Sequence, residues 1–408
     1  MHGKKSKPSF ERIFFLGAGF SAGAHYPVGG KLTAELVQYL KGKPPRIKKE
    51  LPEFTNSTRA AAAGRSFCEE TLGSISRVLE EYFLATLDNA GDVDVTEFFS
   101  ISHALSKHLF LYGSQFASTQ RTRFTTSPKP HDNIQISKLY DLLAAAVLNY
   151  FLDIFIISPL PTDIAAILGE ISPEHDAIVS FNWDEEVDYY FTEEKDWNVA
   201  YTLGSWQARK GILILKPHGS IGWYDVIRGI SNEDTSFIAE GDKRLSRDER
   251  RILSYYESER PIAIESDEDK RKEMYFCPPV ITPPTFAKSF EYAEQNWIWQ
   301  DVLEICSNAK QFVFLGYSLP QDDYLTRAAI RNALRNNPWS KLRCLIVNRD
   351  HTDQKLRSNY ASVFRNALDY EGNYLHWNFG SKRKGAAAEI ETQLENAFLQ
   401  KLTKSKNS

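Results

Sequence analysis

Three runs of mostly apolar residues interrupt an otherwise mixed chain: Arg12-Ile13-Phe14-Phe15-Leu16, Ala177-Ile178-Val179-Ser180-Phe181 and Gln311-Phe312-Val313-Phe314-Leu315. Short continuous runs rich in β-branched and aromatic residues fit strands buried on both faces, as in a parallel sheet. Two further runs, Ile212 to Leu215 and Arg343 to Val347, bring the number of strands to that of an open α/β sheet. Each run ends at a polar or glycine-containing turn. Ligands of such sheets bind beyond the carboxyl ends of the strands, so these turns are where chemistry is expected.

The intervals between strands read differently. Residues 44–175 show helical spacing, as in Ser74 to Leu87 and Ile136 to Ile157, broken by stretches near Ala60 and Pro128, and predict a mainly helical insertion. Residues 1–43 then start a Rossmann-like domain, and residues 176–380 complete it, with a charged insertion at about 231–274. Residues 381–408 read as a last amphipathic helix and a polar tail.

Composition narrows the class. With 408 residues, the chain can hold two or three domains, or one elaborated domain, at ~150 residues per domain. Its 42% hydrophobic and 13% aromatic content is that of a globular protein. A net charge of -4 gives no whole-chain argument for nucleic acid or anionic lipid. Cys68, Cys277, Cys306 and Cys344 form no C-x-x-C pair, which argues against a cysteine zinc module and suits a reducing compartment. Lys4, Lys5 and Lys7 precede the apolar residues Ile13 to Leu16 as in a secretory signal, but that run is shorter than the ~7–15 residues a signal core needs. No stretch approaches the ~20 apolar residues of a membrane span, and a cytoplasmic location is expected.

Five turns carry candidate chemistry. Gly17-Ala18-Gly19-Phe20-Ser21-Ala22-Gly23 follows the first strand, and Pro27, Gly29 and Gly30 lead into a helix from about Leu32 to Leu40. Glycines there let backbone approach a phosphate, or serve a purely structural turn. The loop is neither a G-x-G-x-x-G fingerprint nor a P-loop, since no G-K-[ST] follows. In Ser180-Phe181-Asn182-Trp183-Asp184, Asn182 and Asp184 can hold a water, a ribose hydroxyl or a carboxamide; equally, they suit an Asx turn or a helix cap. Lys216-Pro217-His218-Gly219-Ser220 offers a histidine, suited to general-base work near neutral pH, on a turn that should leave it exposed to a ligand. Gly316-Tyr317-Ser318-Leu319 and Asn348 close two later strands and could cradle a nucleotide or simply turn the chain.

In this order, G-A-G-x-S, N-x-D, H-G, G-x-S and a late asparagine, the chain resembles the sirtuin-like family from about Ile13 to Asn348. The resemblance implies a Rossmann-like parallel sheet of sirtuin type. Gly17, Ala18, Gly19, Phe20, Ser21 and Pro27 would surround the pyrophosphate and nicotinamide end of NAD+, and Asp184 would face the carboxamide. Gly316, Tyr317, Ser318 and Asn348 would lie along the adenosine half. Asn182 and His218 would be the catalytic pair.

The chain departs from the protein-deacylating sirtuins. It lacks their paired C-x-x-C motifs and their F-G-E segment, reading Pro278-Pro279-Val280-Ile281-Thr282-Pro283-Pro284 and then Lys288 where that segment would lie. It also has Tyr26-Pro27-Val28-Gly29-Gly30 in place of I-P-D-F-R. The pattern is more similar to the bacterial sirtuin-like NAD+ hydrolases of antiphage defence. That resemblance implies NAD+ cleavage to nicotinamide and ADP-ribose and a separate activating partner such as a HerA-like ATPase; since an uncontrolled NAD+ hydrolase would kill its host, activity should depend on assembly, and a homo-oligomer is expected. NAD-dependent deacylation and a non-catalytic NAD+ or ADP-ribose sensor are the alternatives.

Overall fold

A computed structural model describes residues 10–24, 26–27, 29–40, 99, 143–144, 147, 150–151, 160–209, 211–225, 252–254, 279–282, 293–336, 343–349, 352–364 and 374–376. The expected helix at Ser74 to Leu87, the C-terminal helix, most of the charged 231–274 interval, and Cys68 and Cys277 lie outside these residues. The chain divides into two compact units: Met1–Tyr26 with Ser158–Gly219 and Phe286–Ser408, and Pro27–Ile157 with Ser220–Thr285.

The first unit is built on a seven-stranded sheet. Its elements, in chain order, start with strand β1 (Arg12–Leu16) and helix α1 (Ala18–Gly23). Helix α2 (Gly30–Leu40) belongs to the second unit, and the first resumes with α3 (Thr162–Gly169) and β2 (Asp176–Ser180). Next come α4 (Glu186–Tyr189), continued by a π-helical turn over Tyr190–Glu194, then β3 (Val199–Ala200), α5 (Leu203–Arg209) and β4 (Ile212–Leu215). Strands β5 (Gly219–Asp225), β6 (Ile252–Ser254) and β7 (Pro279–Ile281) form a separate three-stranded sheet in the order β6-β5-β7. The first unit closes with α6 (Ala293–Asn308), β8 (Gln311–Leu315), α7 (Tyr324–Asn336), β9 (Arg343–Asn348), α8 (Gln354–Phe364) and β10 (Tyr374–His376).

The strand order of the large sheet is β10-β9-β8-β1-β2-β4-β3, and every neighbouring pair is parallel. Helices between successive strands supply the long crossovers that parallel pairing requires. This is an α/β, Rossmann-like architecture. All five apolar runs form strands of this sheet, and β2, β4 and β8 are buried along their whole length. Covering both faces explains why the centres of these strands are apolar at consecutive positions instead of alternating. Phe15 stacks on Phe314 at 4.7 Å and meets Phe312 edge-on at 5.3 Å, and Phe314 meets Tyr360 of α8 at 5.1 Å. At the amino end, the Arg12 guanidinium grips the Asp176 carboxylate of the neighbouring strand, Nε to Oδ1 at 2.8 Å.

In the second unit, Leu143, Ala144, Val147, Tyr150 and Phe151 are helical and buried, one face of the helix expected over Ile136 to Ile157. The Tyr150 hydroxyl donates to Glu35 of α2. Cys306 and Cys344 are buried free thiols, and burial pushes the Cys306 thiol up. Among the described residues no helix is long and apolar enough to cross a membrane. Nor, among them, could any group of three or more His, Cys, Asp or Glu side chains hold a metal ion.

Candidate active site

Strand register sets the site. Leu16 pairs with both Ser180 and Leu315, Leu215 pairs with Val179, and Val347 pairs with Leu315. Gly17, Phe181, Lys216, Gly316 and Asn348 therefore leave the sheet within one residue of the same level. From β1 the chain order runs outward through β2 on one side and through β8 on the other, so β1 and β8 flank the topological switch point, where open α/β sheets bind ligands.

At that point the first and fourth motif turns touch. The Gly17 N–H donates to the Leu315 carbonyl at 3.0 Å, and the Gly19 N–H to the Gly316 carbonyl at 2.9 Å. A Cβ on Gly17 would lie 2.5 Å from the Tyr317 Cα, and one on Gly316, whose φ is +60°, would lie 2.1 Å from the Phe20 nitrogen. Close packing of one turn on the other is thus sufficient reason for glycine at both positions, independent of any phosphate. The Phe20 N–H is also committed, to the Gly17 carbonyl at 2.9 Å. Ala18 and Gly19 remain exposed at the surface of the loop.

The second motif turn clasps the first. The Asn182 carboxamide donates from Nδ2 to the Gly17 carbonyl at 3.0 Å, and the Ser21 hydroxyl donates to Asp184 Oδ2 at 2.6 Å. Asp184 Oδ1 accepts the Glu186 N–H at 3.3 Å, the Asx-type bond that starts α4. Both carboxylate oxygens of Asp184 therefore have partners within the protein. Burial holds its carboxyl above the usual range, opposed by the Lys216 charge and the Ser21 hydrogen bond.

Lys216 ties the third turn to the second. Its ammonium, fully buried, donates to the Asp188 carboxylate at 2.9 Å and to the Asp184 carbonyl at 2.6 Å, while the Tyr201 hydroxyl donates to the other Asp188 oxygen at 2.6 Å. The turn itself closes by the Gly219 N–H to the Lys216 carbonyl at 2.9 Å, with Pro217 at its second position and Gly219 at φ +77°.

His218 is not exposed, as the turn had suggested; only 3% of its surface meets solvent. The reason is aromatic packing: the Phe181 ring lies 5.1 Å away and the Trp299 ring of α6 6.4 Å away. Phe181 also stacks on Tyr317 at 4.5 Å, so one ring joins the second, third and fourth turns. Asn182, which follows Phe181 in the chain, is 7% exposed.

Phe20 and Ser21 are buried in α1, and Pro27 is buried at the start of the second unit. Ser318 is exposed, with its carbonyl accepting from Asn359 at 3.1 Å, and Asn348 is half-buried at the end of β9. Sequence reasoning missed Asp323 and gave no role to Lys216. A lysine closing the wholly apolar Ile212 to Leu215 run was the available signal for a buried ion partner, whereas Asp323 before a helix reads only as a cap.

Comparison with known protein families and with curated proteins finds no match. Fold and site define an α/β, Rossmann-like protein with a buried polar cluster at the switch-point edge of its sheet.

Proposed function

We propose that this protein is a sirtuin-like NAD+ glycohydrolase, cleaving NAD+ to nicotinamide and ADP-ribose. The observation that carries the reading is the convergence at one sheet edge of all five motif turns, with Asn182 bonded to the Gly17 carbonyl and Phe181 packed between Tyr317 and His218. The pyrophosphate would run past Gly17 to Ser21, meeting the loop at exposed Ala18 and Gly19. Asp184 would lie near the carboxamide. Gly316, Tyr317, Ser318 and Asn348 would follow the adenosine half.

In the proposed reaction the C1′–N bond breaks with its electron pair passing to the nicotinamide ring nitrogen, which loses its positive charge without being protonated. Water forms the new C1′–O bond. Asn182 orients that water or the ribose, and His218 accepts the water's proton and passes it to solvent. Positioning and proton transfer of this kind contribute rate without a metal step.

Both proposed catalytic side chains are buried, which limits the access of substrate to them. That suits an effector of antiphage defence that stays silent until triggered, acting as a cytoplasmic homo-oligomer with a separate partner such as a HerA-like ATPase.

The test is nicotinamide and ADP-ribose release from NAD+ by the purified protein, with and without such a partner, with oligomer mass followed by light scattering. Asn182→Ala and His218→Ala should each lower release by about 10²–10⁴ with the fold intact. Release that requires an acyl substrate would indicate deacylation instead, and NAD+ binding without release under any condition would indicate a sensor.

A further inference from the structure

The candidate base has a buried acid beside it. Asp323, immediately before α7, is fully buried. Its Oδ2 accepts from the Tyr317 hydroxyl and from Thr326 Oγ1 at 2.8 Å, and stands 3.9 Å from His218 Nε2. A local role in the first turn of α7 accounts for the bond from the Thr326 hydroxyl. It does not account for a carboxylate that also faces an imidazole carried by a different strand and holds the ring that stacks on Phe181. A charge with no exposure needs hydrogen bonds or counter-charge; the two hydroxyls supply the first, and the His218 ring, once protonated, stands near enough to supply the second.

We propose that Asp323 is the positioning residue for His218: it keeps the imidazole proton on Nε2 and thereby presents Nδ1 as the proton acceptor. A neutral imidazole has one donor and one acceptor nitrogen, so fixing the first determines the second. The separation of 3.9 Å is longer than a hydrogen bond, and catalytic contacts of this kind tighten when the site is loaded. During turnover the water's proton passes to Nδ1, the imidazolium is stabilised by the Asp323 carboxylate, and the proton leaves to solvent with product. A base oriented by a third group is the arrangement that activated hydrolytic sites use. The direction of proton transfer rests on the hydrolase reading; the Asp323–His218 coupling does not.

The experiment is long-range 1H–15N spectroscopy of the full-length protein, with and without ADP-ribose. His218 is assigned among the nine histidines by the signal lost in His218→Gln. In the wild type at a pH where the ring is neutral, His218 should be the Nε2–H tautomer. In Asp323→Asn, whose carboxamide oxygen can still accept from the two hydroxyls, the tautomers should mix. Nicotinamide release should fall about 10²-fold or more in kcat with KM for NAD+ changed less than about threefold, as expected when a base is mis-set and binding is not.

An Nδ1–H tautomer in the wild type would overturn the proposal, as would an Asp323→Asn protein with both tautomer and kcat unchanged. If Asp323→Asn fails to fold, Asp323→Glu provides the same spectroscopic comparison with the charge retained and displaced; an unaltered tautomer and kcat there would also overturn it. A wild type that releases no nicotinamide, with or without partner, defeats the hydrolase reading, while the tautomer still decides whether Asp323 orients His218.

Discussion

Lys216 is the residue on which two of the site's turns depend. It has no solvent exposure, and its ammonium is shared between the Asp188 carboxylate and the Asp184 carbonyl. Breaking a buried pair from one side leaves an uncompensated charge and costs about 3–5 kcal/mol, far more than the pair's net worth. Lys216→Met should therefore lower unfolding free energy by about that amount in urea titrations. Lys216→Met with Asp188→Asn should recover part of the loss, since the remaining group is then neutral yet can still accept from Tyr201. A loss below about 1 kcal/mol for the single change would mean that water reaches Asp188. The lysine was visible in the sequence as the charged end of an apolar strand; its partner, 28 residues upstream on α4, was not, because only the pairing of β2 with β4 brings the two together.

At the scale of elements, the site depends on how closely two turns approach. Gly17 and Gly19 follow β1, Gly316 follows β8, and backbone hydrogen bonds join the two turns directly. Gly316→Ala would combine a left-handed φ with a Cβ 2.1 Å from backbone, and neither conflict can be relieved by a side-chain rotation. The strained conformation alone costs about 1–2 kcal/mol, and displacing the turn adds to it. Thermal unfolding should show Gly316→Ala severely destabilised, while Gly204→Ala in helix α5, where the nearest atom to the new Cβ is 3.9 Å away, should be neutral or stabilised by about 0.5–1 kcal/mol. A Gly316→Ala protein as stable as the wild type would refute the close-packing explanation. Glycines in this loop had two readings from sequence, phosphate approach and structural turn. The contact between the turns supplies a reason for the second without excluding the first at exposed Ala18 and Gly19.

Over the whole molecule, acids partly or wholly withdrawn from water tie stability to pH. Burial, reinforced by Asp188, pushes the Glu185 carboxyl up to about 8 from an ordinary value of 4.5, with the Lys216 charge opposing. Burial likewise raises Asp184, and raises Asp301 to about 6 against the Leu203 N–H bond. The folded state then binds protons that the unfolded chain has released. These groups contribute stability that is fully present below their ordinary values of 3.8 for Asp and 4.5 for Glu and is lost as pH rises, through about 6 for Asp301 and about 8 for Glu185. Melting temperature should fall across that window, and Glu185→Gln should flatten the fall. A melting temperature that rises steadily from pH 5 to 8 in both proteins would contradict the assignment.

The sequence by itself determined the sheet's five principal strands and the turns that end them, because unbroken apolar runs and turn-forming residues are local signals of two-sided burial and chain reversal. It did not reveal the edge strands β3 and β10, only two and three residues long and too short to show a pattern. Nor did it reveal that 27–157 and 220–285 group into one unit, since that depends on contacts between segments far apart in the chain. The level alignment of the five turns, the Lys216 clasp, the burial of His218 under Phe181 and Trp299, and the presence of Asp323 beside it all belong to tertiary structure. Hydrogen bonding between parallel strands fixes which residues share a level, and side-chain packing then fixes which of them meet; neither is encoded in the spacing of residues along any one segment.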